Sequence, residues 1–91
     1  MTWVCVFIVH VQTPYQYYLV GVVRNVPANA SKNSVKEAIE RMGYQPGEFG
    51  IPWANHFVTP LKEAPPSVIG QYRQKNWNWE IDYKEAFEEI E

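Results

Sequence analysis

From Asn76 to Tyr83 the chain alternates polar and apolar residues without a break, Asn-Trp-Asn-Trp-Glu-Ile-Asp-Tyr, a period of two that predicts a β-strand. One face would carry Trp77, Trp79, Ile81 and Tyr83 and the other Asn76, Asn78, Glu80 and Asp82. The run from Trp3 to Val11 is different, because it is apolar on both alternation faces up to His10. That composition predicts a central strand covered on both sides. Thr13-Pro14-Tyr15-Gln16 reads as a turn, and Tyr17 to Val26 resumes strand composition, so the two runs predict a β-hairpin. Within the second run, Gly21 marks a bulge or a place where a bulky side chain such as a Trp lies across the backbone. Read together, the alternating strand is an edge or near-edge strand with one wet side.

Helical periodicity follows the polar connection Pro27 to Asn33. Ser34-Val35-Lys36-Glu37 fits a capping box and predicts a helix start at Ser34. Val35, Ala38, Ile39 and Met42 form its apolar stripe, Glu37 and Arg41 an i,i+4 pair, and Gly43 a left-handed stop. Tyr44 to Ala54, with Pro46, Gly47, Gly50 and Pro52, predicts an irregular loop that tucks Phe49, Ile51 and Trp53 toward the core. Asn55 to Leu61 reads as a short third strand that Pro60 confines to an edge or truncates, and Val68 to Gln74 as a short helix capped by Ser67. Asp82 is placed to cap a last helix in which Tyr83, Phe87 and Ile90 share a face. The fold class is therefore α+β, one small domain over residues 1–91. Its sheet is mainly antiparallel, an N-terminal hairpin plus a C-terminal strand, packed by one well-defined helix and one or two short ones.

A chain of 91 residues buries roughly 60–65% of its unfolded surface, enough for one core without staples. The single cysteine, Cys5, has no partner for an intramolecular disulfide and reads as a small buried hydrophobe in a reducing, cytoplasmic setting. No Lys or Arg precedes the run Trp3 to Val11, and it is far shorter than the ~20 residues of a membrane span, so it reads as a mature strand and no membrane partner is expected.

Charge changes the picture more. Residues 1–79 hold seven basic and four acidic side chains (+3); residues 80–91 hold six acids against Lys84 (−5), which together give the net −2. A terminal acidic block argues against general affinity for nucleic acid. An alternative nucleic-acid surface would set Arg41, Arg73 and Lys75 beside Trp77, whose ring can stack a base.

Candidate chemistry is sparse. His10, His56 and Cys5 are the only His and Cys residues, too few for a four-ligand zinc site, and Cys5 and His10 fall on opposite strand faces. A Cys5–His56 dyad would need an electropositive setting that the surrounding apolar residues do not supply. Gly47-Glu48-Phe49-Gly50 matches the Gly-x-x-Gly loop of nucleic-acid clamps only in its glycines, since Glu48 is acidic. No catalytic, cofactor-binding or metal-binding residue is assigned, and no cofactor is expected. What remains is surface: aromatic Tyr15, Tyr17 and Tyr18 around the first turn, and acidic Glu80, Asp82, Glu85, Glu88 and Glu89 at the end of the chain. These residues point to a non-catalytic interaction module, an inhibitor or adaptor of the kind that small mobile-element or phage proteins provide, docking on a basic protein partner. Two alternatives belong to other classes. One is a homodimer that completes a doubly apolar sheet across a twofold axis; the other is a small ligand-binding domain or enzyme using His56, Tyr72 and Glu80 in a pocket.

Overall fold

A computed structural model describes residues 3–44 and 50–87. Strand β1 (Val4–Gln12) and strand β2 (Tyr17–Pro27) form the expected hairpin. Its turn is closed by Thr13, whose hydroxyl accepts from the amides of Tyr15 and Gln16 while its own amide donates to the Gln16 carbonyl at 2.9 Å. Strand β3 (Phe57–Pro60) pairs antiparallel with β1, and β4 (Trp79–Asp82) pairs parallel with β2, so the sheet order is β3-β1-β2-β4. The sheet is thus mixed, antiparallel in two of its three pairings. β3 is the edge strand that Pro60 demanded, ending where its missing amide stops the ladder.

The hairpin carries a core on each face. Phe7, Val9, Val11, Val20, Val23 and Val26 meet Val35 and Ile39 of α1 (Lys32–Arg41), together with Val58, Trp79 and Ile81. Ile8, Leu19 and Val22 meet Ala64 and Val68, the latter on α2 (Pro66–Arg73). Alternation along β1 sends successive residues to opposite helices, which is why that strand is apolar on both faces. A short α3 (Tyr83–Phe87) lies against α1, where the Arg41 guanidinium sits 4.8 Å from the Phe87 ring. Both faces are therefore covered by the chain's own helices, and no twofold axis is needed to complete the core.

Two register shifts bend β2. Val9 pairs with Gly21 but His10 with Leu19, which leaves Val20 as an extra residue; Cys5 pairs with Val26 but Phe7 with Val23, and there Asn25 takes a left-handed φ of 59°. The first bulge brings Gly21 under the Trp79 indole. A Cβ built on Gly21 would stand 2.5 Å from ring carbons, so only glycine admits this crossing. Tyr44 stacks on the same indole, with centroids 5.2 Å apart.

Element ends differ from the sequence reading in three places. Ser31, not Ser34, caps α1: its hydroxyl accepts from the Ser34 amide at 3.1 Å and its carbonyl from the Ser34 hydroxyl at 2.8 Å, so the helix starts at Lys32. α2 starts with Pro66 as its first residue rather than behind a Ser67 cap, because proline has the helical φ and no amide to satisfy. The alternating segment is strand only from Trp79. The Asn76 amide closes α2 on the Gln71 carbonyl, and Trp77 turns to the α2 side to stack on Tyr72 at 5.3 Å, away from Trp79 and Ile81. Tyr83 belongs to α3. Other expectations hold: Gly43 takes φ 81° and ends α1, with the Tyr44 amide returning to the Ile39 carbonyl, while Ile51 and Trp53 pack on the α1-side core. Phe49, the Gly47-to-Phe49 part of the Gly-x-x-Gly match, Glu88, Glu89 and Ile90 lie outside the described residues.

Candidate functional site

Parallel pairing sets β4 beside the second bulge of β2, Val22 opposite Glu80 and Arg24 opposite Asp82. The bulge turns Arg24 and Asn25 toward the new strand. Arg24 Nε lies 2.9 Å from Glu80 Oε2, and Arg24 Nη1 donates to the Tyr72 hydroxyl at 3.4 Å. The Glu80 carboxylate, with the Tyr72 hydroxyl second, holds the guanidinium above its usual pKa. Asn25 Nδ2 donates to Asp82 Oδ2 at 2.7 Å, and the Lys84 amide to Asp82 Oδ1 at 2.8 Å, so Asp82 both receives the bulge and caps α3.

Around these groups lies a depression of about 240 Å³, lined by Met42, Tyr44 and Ile81 as well as Arg24, Glu80, Asp82 and Glu85. Three of the acids singled out from the sequence thus meet at the outer edge of the sheet, three negative charges against Arg24, a local sum of −2. Their roles differ. Glu80 is spoken for by Arg24 and Asp82 by Asn25 and the helix cap, while Glu85 is exposed on the first turn of α3.

The tyrosines do not share this surface, nor one another's. Tyr15 at the turn is 92% exposed, but Tyr17 packs on the α2-side core and Tyr18 on the α1-side core, as strand neighbours must. Four residues of β2 separate Tyr18 from the level of Glu80, roughly 13 Å at the usual ~3.3 Å rise. The aromatic turn and the acidic edge are two surfaces.

Other groupings are dispersed by the fold. His56 precedes β3, one residue beyond the His10–Phe57 pair, and so lies six residues of β1 away from Cys5, about 20 Å. Its Nδ1 faces the Pro52 carbonyl at 3.0 Å. Tyr72 and Glu80 sit at the β4 edge and His56 at the β3 edge, three strand spacings or about 14 Å apart, so these three build no common pocket. Arg41 is on α1 while Arg73 is on α2, on opposite faces of the sheet, and no basic row forms beside Trp77. His10 is buried between the Tyr17 and Phe57 rings, its Nδ1 without a hydrogen-bond partner; burial disfavours the charged ring and lowers its pKa. Among the described residues no three His, Cys, Asp or Glu side chains converge as a metal-ligand set, and no helix is long and apolar enough to cross a membrane.

Sequence reasoning missed Gln71. Its Oε1 accepts from the Leu19 amide at 2.8 Å and its Nε2 donates to the Tyr17 carbonyl at 2.9 Å, so one side chain extends the β2 ladder beyond the end of β4. The Asn78 amide, donating to Val20 at 2.8 Å, fills the step between them. That clamp holds α2 on the sheet and leads the chain into β4, the strand that carries the acids. Comparison with protein-family models, with curated proteins and with solved structures gives no match for this chain.

Proposed function

We propose that this chain is a non-catalytic interaction module, an inhibitor or adaptor, that presents its β4 edge and the start of α3 to a protein partner with a basic surface. The observation that carries the reading is the meeting of Glu80, Asp82 and Glu85 around one shallow depression on an edge strand, with a local charge of −2 after Arg24 is counted. Acids placed on an edge strand also keep copies of that edge from pairing with each other, so the surface favours an oppositely charged partner. Glu85 is the residue through which the surface is best tested, because Glu80 and Asp82 also hold Arg24, Asn25 and the α3 cap. Glu88 and Glu89 continue the acidic run in the sequence.

The test compares proteins captured from the native host's lysate by the native chain and by the triple variant Glu85→Lys, Glu88→Lys, Glu89→Lys. The expected result is one or more basic proteins retained by the native chain and lost by the variant. Capture of the same proteins by both, or of none by either, overturns the reading.

A further inference from the structure

β3 pairs with β1 only from Phe7 to His10, whereas β2 accompanies β1 from Val4 onward. Among the described residues, Val4, Cys5 and Val6 therefore have a strand on one side and none on the other. This end of the sheet carries exposed apolar side chains, Trp3 just before β1 at 74% and Val4 at 51% exposure. Beside it, where the chain leaves β3 through a short 3₁₀ turn (Leu61–Glu63), opens an apolar groove of about 510 Å³ walled by Cys5, Phe7, Ala28, Ala30, Pro60 and Leu61. An open strand edge, an exposed indole and an apolar hole thus lie within a few residues of one another.

From this juxtaposition we infer that the Val4–Val6 edge is a self-association site, at which two copies of the chain pair their β1 strands antiparallel across a twofold axis and each seats Trp3 in the groove of the other. Register supports it. Pairing centred on Val4 sets Trp3 of one copy beside Cys5 of the other, and Trp3, Cys5 and Phe7 share a strand face, so the indole meets the wall formed by Cys5 and Phe7. Pairing further along β1 is blocked, since Pro60 already occupies the place opposite Phe7.

Charge separates this edge from β4, and a proline separates it from β3. A twofold axis at β4 would face Glu80 and Asp82 with themselves, and β3 ends in a proline, whereas Trp3, Val4, Cys5 and Val6 carry no charge at all. The rim is of mixed sign, Lys32 and Lys62 with Glu63, so apposed copies bring no block of like charges together. The exposed parts of Trp3 and Val4 offer on the order of 250 Å² per copy; with the groove walls they cover on the partner, the contact totals about 1,000 Å², the lower bound for a specific interface. The dimer is accordingly weak and concentration-dependent. It uses the sheet end opposite the hairpin turn and stands independently of the acidic β4 edge.

Light scattering after gel filtration tests it, with a reducing agent present so that Cys5 cannot link copies covalently, from about 10 µM to about 500 µM chain. The expected result is a mass rising from one chain toward two for the native protein. Val4→Lys, which places two like charges at the twofold axis, and Trp3→Ser, which empties the groove, should both remain at one chain throughout, with melting temperatures unchanged. Alkylation of Cys5 by iodoacetamide should slow several-fold as the native protein is concentrated, and not in the variants. A native mass of one chain at the highest concentration overturns the inference, as does a dimer that survives both substitutions.

Discussion

Gly21 and Trp79 show how much one residue decides here. The indole lies where a Cβ would be, so Gly21→Ala must displace either the ring or the strand and should lower stability by about 1–3 kcal/mol, read by denaturant unfolding. Sequence reasoning reached this contact because a glycine in a valine-rich strand has few other uses. It did not reach the polar groups left inside: Trp79 Nε1 and His10 Nδ1 are buried without partners, and nothing local marks them as such. His10 makes stability depend on pH. Burial lowers its folded pKa below the model-peptide value of 6.5, so the unfolded chain binds the proton more readily. Its contribution is complete above about pH 6.5 and is lost as pH falls below it. Melting temperature should therefore drop on acidification through pH 6 and 5, and His10→Phe, which keeps a ring between Tyr17 and Phe57, should flatten that part of the profile.

At the scale of elements, the ends of helices carry the clearest expectations. α2 finishes with the Lys75 amide on the Tyr72 carbonyl and the Asn76 amide on the Gln71 carbonyl, the same closure that Gly43 provides for α1, but Lys75 holds the left-handed position at φ 57°. Lys75→Gly should thus raise stability by about 1 kcal/mol. Gln71→Ala, by contrast, leaves the Leu19 amide and the Tyr17 carbonyl unpaired at the junction of α2 and β2 and should cost about 1–3 kcal/mol. Chemical denaturation with tryptophan fluorescence checks both. The stripe Val35, Ala38, Ile39 and the stop at Gly43 were legible because they depend on neighbours within one turn. The cap at Ser31 rather than Ser34 was not legible, since either hydroxyl is chemically competent and the choice rests on which backbone leaves the strand first. Gln71 was not legible at all: its role exists only once α2 has docked, and an amide on a short helix ordinarily faces water.

Over the whole molecule, the alternation from Asn76 to Tyr83 foretold a strand with a wet, acidic side at or near a sheet edge, and β4 is that edge. Its parallel pairing with β2 was not written in the pattern, because period two is the same for either direction. The split of Trp77 from Trp79 follows from the same limit: the segment must first end α2, and the three residues this consumes carry Trp77 to the other face. The acids converge because the β2 bulge at Asn25 and the Asp82 cap fix where α3 begins. The tyrosines diverge because consecutive strand residues cannot share a face.

What the whole surface is for is decided by how its binding responds to salt and to Glu85. The direct measurement is the dissociation constant of the chain for the basic protein it captures, native and Glu85→Lys, at about 0.05 M and about 0.5 M salt, where the screening length falls from roughly 14 Å to roughly 4 Å. Native binding should weaken at least tenfold across that range, and Glu85→Lys should remove most of the difference by weakening the low-salt complex. Equal native affinity at both salt concentrations, unaffected by Glu85→Lys, would contradict it.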